Sequence, residues 1–268
     1  MSGTRAPPVE AFRFAVDGVE LEAACWAGDR SRAALLLLHE GLGSVSLWGR
    51  FPARLAAASG RTVIAWSRQG YGRSAAANVP RPVDYLHREA FTVLPGVLAA
   101  LQARGCFGSA RPFLVGHSDG GTIALLAAAA HGEQLAGVVV MAPHLWVEAE
   151  ALAGIRLAGE RWRNSDLPVR LGRHHDRVER VFADWHDTWL SSDFAGWNIE
   201  AEVAKIDRPV LAIQGEQDEY ATMAQIDRIA ALAIAPVQLL KIADSGHAPH
   251  ADQPAAVIKA IIAFAGAL

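Results

Sequence analysis

The chain has 268 residues, half of them apolar, with 25 Lys and Arg against 28 Asp and Glu. A length of this order suits one large domain or one domain with an insertion, and a net charge of −3 with interspersed signs excludes the electrostatic footprint of a nucleic-acid binder. No signal peptide and no run of about 18 apolar residues is legible, so the expectation is a cytoplasmic protein without a membrane span. Only Cys25 and Cys106 are present, which makes neither a disulfide framework nor a metal site, and both read as reduced residues.

In chain order, VEAFRFAV and VELEAACW alternate in polarity and are joined by Asp17-Gly18, which predicts a β-hairpin. Six short apolar runs follow, at 33–39, 61–66, 111–117, 135–142, 208–215 and 237–243, and read as strands covered on both faces of a parallel sheet. Between and after them LWGRFPARLAAAS, DYLHREAFTVLPGVLAALQAR, GTIALLAAAAH, ATMAQIDRIAALA and PAAVIKAIIAFAGAL carry helical patterns. The alternation predicts an α/β fold: a mostly parallel central sheet with an antiparallel N-terminal hairpin and helices on both faces. Residues 145–205 break the rhythm with charged helical segments and five tryptophans. The expected organisation is a core of 1–144 and 206–268 with a helical cap at 145–205.

Gly116-His117-Ser118-Asp119-Gly120 lies between an apolar strand and a helix. It fits the G-x-S-x-G nucleophile elbow, in which a sharp turn exposes the serine Oγ and small neighbours keep strand and helix from clashing. A serine hydroxyl needs a base, and the base an orienting carboxylate. Downstream, LAIQGEQDEY places Asp218 just past a strand and KIADSGHAPH places His247 just past the last one. Glu216 and Glu219 compete for the acid and His250 for the base; the spacing after Gly215 favours Asp218, and the Ser245-Gly246 approach favours His247.

On these residues the chain resembles the α/β-hydrolase family over nearly its whole length. LLLLHEGLGSVSLW resembles the family's His-Gly-x-x-Gly-Ser loop, SRQGYGRS its Asp-x-Arg-Gly-x-Gly-x-Ser loop, and GHSDGG, GEQD and SGHAPH follow in family order. The resemblance implies α/β-hydrolase architecture, a Ser118–Asp218–His247 triad, and an oxyanion hole made by the backbone N–H groups of Gly41 and Asp119, worth about 3 kcal/mol each in known cases. It also implies that 145–205 covers the site, with Trp162, Trp185 and Trp189 as candidates to line a substrate pocket or simply to pack the cap.

Two residues depart from the family pattern. Ser67 stands where aspartate is usual and reads as a local hydrogen-bonding substitute. Glu40 stands where glycine is usual, beside the expected oxyanion hole, and needs a partner, for which Arg68 and His39 are candidates. Ser-Asp-Gly-Gly also resembles the biphenyl-hydrolase-like, valacyclovirase branch, where the aspartate after the serine receives the α-amino group of amino-acid esters. That resemblance makes Asp119, with Glu40 nearby, a candidate amine-binding group; its competing reading is a carboxylate in the first turn of a helix.

The expected activity is therefore serine hydrolysis of small carboxylic esters, amino-acid esters among them, with no metal and no cofactor. Thioesters, lactones and carbon–carbon bonds are alternatives on the same triad. Anionic substrates would need cap arginines, Arg156, Arg161, Arg163, Arg170, Arg173, Arg177 or Arg180, which otherwise read as a solvated helix surface. A non-catalytic small-molecule binder is the alternative from another class. The expected partner is a small-molecule substrate, not nucleic acid or membrane, and a homo-oligomer is left open.

Overall fold

The computed structural model describes residues 9–77 and 81–268. Asp17 and Gly18, at φ 50° and 79°, turn the chain between β1 (Val9–Val16) and β2 (Val19–Trp26), which pair from Val16 with Val19 to Val9 with Trp26. These positive φ values are what an Asp-Gly two-residue turn supplies. The remaining strands are β3 (Leu35–Leu38), β4 (Val63–Trp66), β5 (Phe113–His117), β6 (Gly137–Met141), β7 (Val210–Gly215) and β8 (Val237–Ile242). One eight-stranded sheet results, ordered β1-β2-β4-β3-β5-β6-β7-β8. It is antiparallel from β1 through β4 and parallel thereafter.

The run Leu35-Leu36-Leu37-Leu38 is buried throughout and feeds two cores, because successive side chains of a strand leave the sheet on opposite faces. Leu35 and Leu37 pack into the core that holds α1 (Phe51–Ser59) and the C-terminal helix, whereas Leu36 and Leu38 pack into the larger core on the other face. Between β4 and β5 the predicted single helix is three joined pieces: α2 (Tyr85–Arg88), a π-helical turn at Glu89–Val93, and α3 (Leu94–Ala103). Pro95 explains the break, since it has no N–H to donate back into the preceding turn and its ring crowds that turn's carbonyl. After β5 comes α4 (Asp119–His131).

Residues 145–205 carry α5 (Ala149–Asn164), α6 (Leu167–Leu171), α7 (Val178–Leu190) and α8 (Glu200–Val203). The two ends of this segment meet where Ile199 N–H donates to the Leu145 carbonyl at 2.8 Å and Trp146 bridges to Asn198. The chain closes with α9 (Ala224–Leu232), β8, α10 (Pro249–Asp252) and α11 (Pro254–Gly266).

One strand expectation needs correction. The 237–243 run is not covered on both faces: among the described residues β8 is the last strand at that edge of the sheet, and Leu239 on it is 40% exposed. Among the described residues, no helix is long and apolar enough to cross a membrane, and no group of His, Cys, Asp and Glu could hold a metal ion. Cys25 and Cys106 are both free.

Candidate active site

The parallel strands deliver their C-terminal ends to one edge of the sheet, where loops from β3, β5, β6, β7 and β8 converge, the position at which open α/β sheets bind ligands. At the end of β5, Ser118 takes φ 50° and ψ −118°, a conformation that L residues rarely adopt. Two glycines make it possible. A Cβ on Gly116 would lie 2.1 Å from the Gly120 carbonyl oxygen, and one on Gly120 would lie 2.0 Å from the Leu38 carbonyl oxygen. Gly121 is less constrained, with Pro143 Cβ at 3.3 Å.

Ser118 Oγ donates to His247 Nε2 at 3.0 Å, and His247 Nδ1 donates to Asp218 Oδ1 at 2.8 Å. The three groups come from turns after β5, β7 and β8. Asp218 Oδ1 also accepts Tyr220 N–H at 2.9 Å, and its Oδ2 accepts Gln214 Nε2 at 3.2 Å. Burial works against this carboxylate, but the hydrogen bond and charge of His247 outweigh it and hold the Asp218 pKa below the ordinary value. A carboxylate kept ionised against the ring fixes the tautomer with a free Nε2, which can take a proton from Ser118.

The competing residues lie elsewhere. Glu219 accepts the backbone N–H of His247 at 3.2 Å and so holds the loop rather than the ring. His250 packs against Trp48, Phe51 and His117, with ring centroids 4.9, 5.4 and 4.7 Å away, and burial followed by the charge of His117 pushes its pKa down to about 3.

Glu40 has a partner, though not one of the two expected. Arg68 Nη2 and His39 Nδ1 both donate to the Glu40 backbone carbonyl, at 2.9 and 2.7 Å. The Glu40 carboxylate instead faces His117 Nδ1 at 3.6 Å. His117 Nε2 donates to the carbonyl of His247 at 2.7 Å, so one imidazole joins the loop after β3 to the loop that carries His247. Burial alone would raise the Glu40 pKa, but His117 and then His39 reverse this and hold it far below the carboxylate range. Ser67 is a bridging hydroxyl, as the sequence suggests: it accepts Val45 N–H at 2.9 Å and donates to Glu22 at 2.8 Å. Glu22, from β2, thus supplies a carboxylate that this loop lacks at position 67.

Asp119 is the first residue of α4 and is 1% exposed. Its Oδ2 accepts the Tyr85 hydroxyl at 2.8 Å and lies 3.4 Å from Arg68 Nη2, while its Oδ1 has no partner. Tyr85 OH in turn accepts Trp189 Nε1–H at 3.0 Å, and the Trp189 ring stands 5.0 Å from His144. The Trp185 indole rests on the Gly41 backbone, where an added Cβ would lie 2.4 Å from its Cδ1. Trp162 stacks on Phe182 at 4.1 Å, and Phe182 in turn contacts Trp185, so Trp162 stands behind Trp185 as packing within the helical segment. His144, after β6, lies 5.8 Å from the His247 ring, and burial, then His247, push its pKa to about 3. Neither His144, His117 nor Tyr85 carries a sequence signal for this placement: the first lies in an ordinary loop, the second at a variable motif position, the third in an amphipathic helix.

A family model described as alpha/beta hydrolase family matches residues 35–260. The chain therefore belongs to the alpha/beta hydrolase family. It is 28% identical to the serine hydrolase BPHL of Homo sapiens over 162 residues, 59% of this chain and 53% of that protein, and so spans about half the length of that curated relative. Its fold is similar to that of a serine hydrolase involved in carbazole degradation, CarC, with TM-score 0.76 and 16% identity over 97% of this chain and 100% of that one. It is also similar to that of the enol-lactonase from Burkholderia xenovorans LB400, with TM-score 0.71 and 20% identity over 94% and 98%.

Proposed function

We propose that this hydrolase cleaves small carboxylic esters through an acyl-enzyme on Ser118. The observation that carries the reading is the unbroken relay from Ser118 Oγ through His247 to Asp218, at 3.0 and 2.8 Å. In the proposed reaction Ser118 Oγ attacks the ester carbonyl as its proton passes to His247 Nε2. The tetrahedral oxyanion is stabilised by the N–H groups of Gly41 and Asp119, neither of which donates to another group among the described residues. His247 then protonates the leaving alkoxide, and a water activated by the same nitrogen releases the acid. Asp218 stays ionised and orients the ring. Residues 145–205 act as a cap, with Trp185 pressed on the Gly41 loop and excluding water from it.

Amino-acid esters are a second reading, favoured by one observation: Asp119 Oδ1 is buried without a partner, next to the nucleophile. Against it, Arg68 and Tyr85 already neutralise and satisfy the other oxygen. The test compares alanyl and propanoyl esters of one leaving group. A propanoyl ester cleaved at least as well as the alanyl ester, with both rates lost in Ser118→Ala, supports the neutral-ester reading. A strong alanyl preference that disappears in Asp119→Asn establishes amine recognition instead.

A further inference from the structure

Arg68, in the loop after β4, is 3% exposed and brings its charge into the interior beside the two N–H groups assigned to the oxyanion. Its Nη2 donates to the Glu40 carbonyl at 2.9 Å, and its Nη1 and Nη2 lie 3.5 and 3.4 Å from Asp119 Oδ2. Arg68 holds the same carbonyl a second time through a relay. Its backbone N–H donates to His39 Nε2 at 3.1 Å, and His39 Nδ1 donates to the Glu40 oxygen at 2.7 Å. Gly43 N–H adds a third bond to that oxygen at 3.1 Å. None of the catalytic steps above uses Arg68.

The position of this oxygen gives the bonds their consequence. Glu40 C=O and Gly41 N–H are the two ends of one peptide group, and in a trans peptide they point in opposite directions. Donors gathered on the oxygen therefore fix the direction of the N–H. A guanidinium among them also polarises the amide, which makes its hydrogen a stronger donor. The Gly41 N–H has no acceptor among the described residues, so the strengthened donor is free for a substrate oxygen. Asp119, whose N–H is the second donor, is tied by its carboxylate to the same guanidinium and to the Tyr85 hydroxyl at 2.8 Å. One buried cation thus contacts both residues that supply the hole. The family pattern for this loop has its arginine one place later, where this chain carries Gln69, whose amide donates to the Ala76 carbonyl at 2.9 Å instead.

We propose that Arg68 is a positioning residue for oxyanion stabilisation: it holds the Glu40–Gly41 peptide and the Asp119 side chain together, so that the two N–H groups keep one aim. The inference rests on the ester reading above.

The test reads the peptide and the turnover separately. Glu-Gly occurs once in the sequence, at 40–41, so isotopic labelling of glutamate at its carbonyl carbon and glycine at its nitrogen gives one carbonyl-to-amide NMR correlation from that peptide. It is recorded in wild type, Arg68→Gln, Arg68→Gln combined with Asp119→Asn, and Arg73→Gln, and the same proteins are assayed on 4-nitrophenyl butanoate, with folding checked by circular dichroism. The double variant leaves no orphan carboxylate and carries the test if Arg68→Gln alone does not fold; Arg73→Gln alters an exposed arginine of the same loop. The expected result is a correlation displaced in the Arg68 variants and unmoved in Arg73→Gln. With it, kcat should fall about tenfold in the Arg68 variants while KM stays within about twofold, because the lost interaction belongs to the transition state. A correlation unmoved by the Arg68 variants, one moved equally by Arg73→Gln, or a displacement with kcat unchanged or with the loss carried by KM alone overturns the proposal. An Arg68-dependent displacement with no ester cleaved by any of the proteins supports the hold on the peptide and overturns the ester reading instead.

Discussion

Glu40 illustrates how one side chain becomes tolerable in an awkward position. A lone carboxylate on the residue preceding a group meant to stabilise negative charge would oppose catalysis, but at 3.6 Å from His117 it forms a compact pair with an imidazole. His117 Nε2 donates to the His247 carbonyl while its Nδ1 faces the Glu40 carboxylate, so one ring stands between the two loops. His117→Phe removes that tie to the catalytic loop; the expected outcome in steady-state kinetics is a fall in kcat of about tenfold with KM little changed. At this scale the sequence was partly legible. Ser118, Asp218 and His247 could be read because each follows an apolar strand in a fixed order, whereas the Glu40–His117 and Asp119–Arg68 pairs join different loops and leave no periodic trace.

At the scale of elements, the turn between β5 and α4 is the most constrained junction. Gly116 and Gly120 each face a backbone carbonyl about 2 Å from where a Cβ would sit, so Gly120→Ala must displace β3 or α4. Chemical denaturation should show a loss of about 2 kcal/mol or more for Gly120→Ala. Gly121→Ala, whose nearest neighbour is a proline carbon at 3.3 Å, should cost markedly less. Equal losses at both positions would contradict the account of the turn. The helix following β4 shows what a pattern does not reveal: DYLHREAFTVLPGVLAALQAR has helical periodicity throughout, and it is the missing N–H of Pro95 that turns Glu89–Val93 into a π-helical segment. Similarly, β8 reads as a buried strand because Val, Leu and Ile recur in it, yet its place at the sheet edge is decided by topology that no local run encodes.

Across the whole molecule, two cores sandwich one sheet, and the burial that stabilises them also imposes a pH dependence. His144 and His250 are held neutral inside the protein, each pushed down to about 3. An unfolded histidine titrates near 6.5, so below that pH the unfolded chain binds protons that the folded chain does not, and stability falls as pH drops from about 6.5 toward 3. At pH 5 each of the two histidines should cost about 2 kcal/mol. Asp218 and Glu40, with depressed pKa values, add a further loss in more acidic solution as they are protonated. Urea denaturation at pH 7 and pH 5 should therefore show a marked drop in stability, and His250→Phe should reduce it; a curve flat between these pH values would contradict the burial of the two rings. The fold was legible at this scale, since alternating strand and helix patterns in the observed order leave few topologies. The extent to which the helical segment closes on the Gly41 loop was not, because Trp185 resembles any other core-facing aromatic on α7.

Whether Ser118 is the nucleophile is decided by intact-protein and peptide mass spectrometry after brief exposure to an activated short-chain ester. The expected result is a mass increase of one acyl group, located on the peptide bearing Ser118. The adduct should accumulate in His247→Gln quenched late in the reaction and be absent from a folded Ser118→Ala. An acyl group found on another residue, or hydrolysis that persists undiminished in Ser118→Ala, would contradict it.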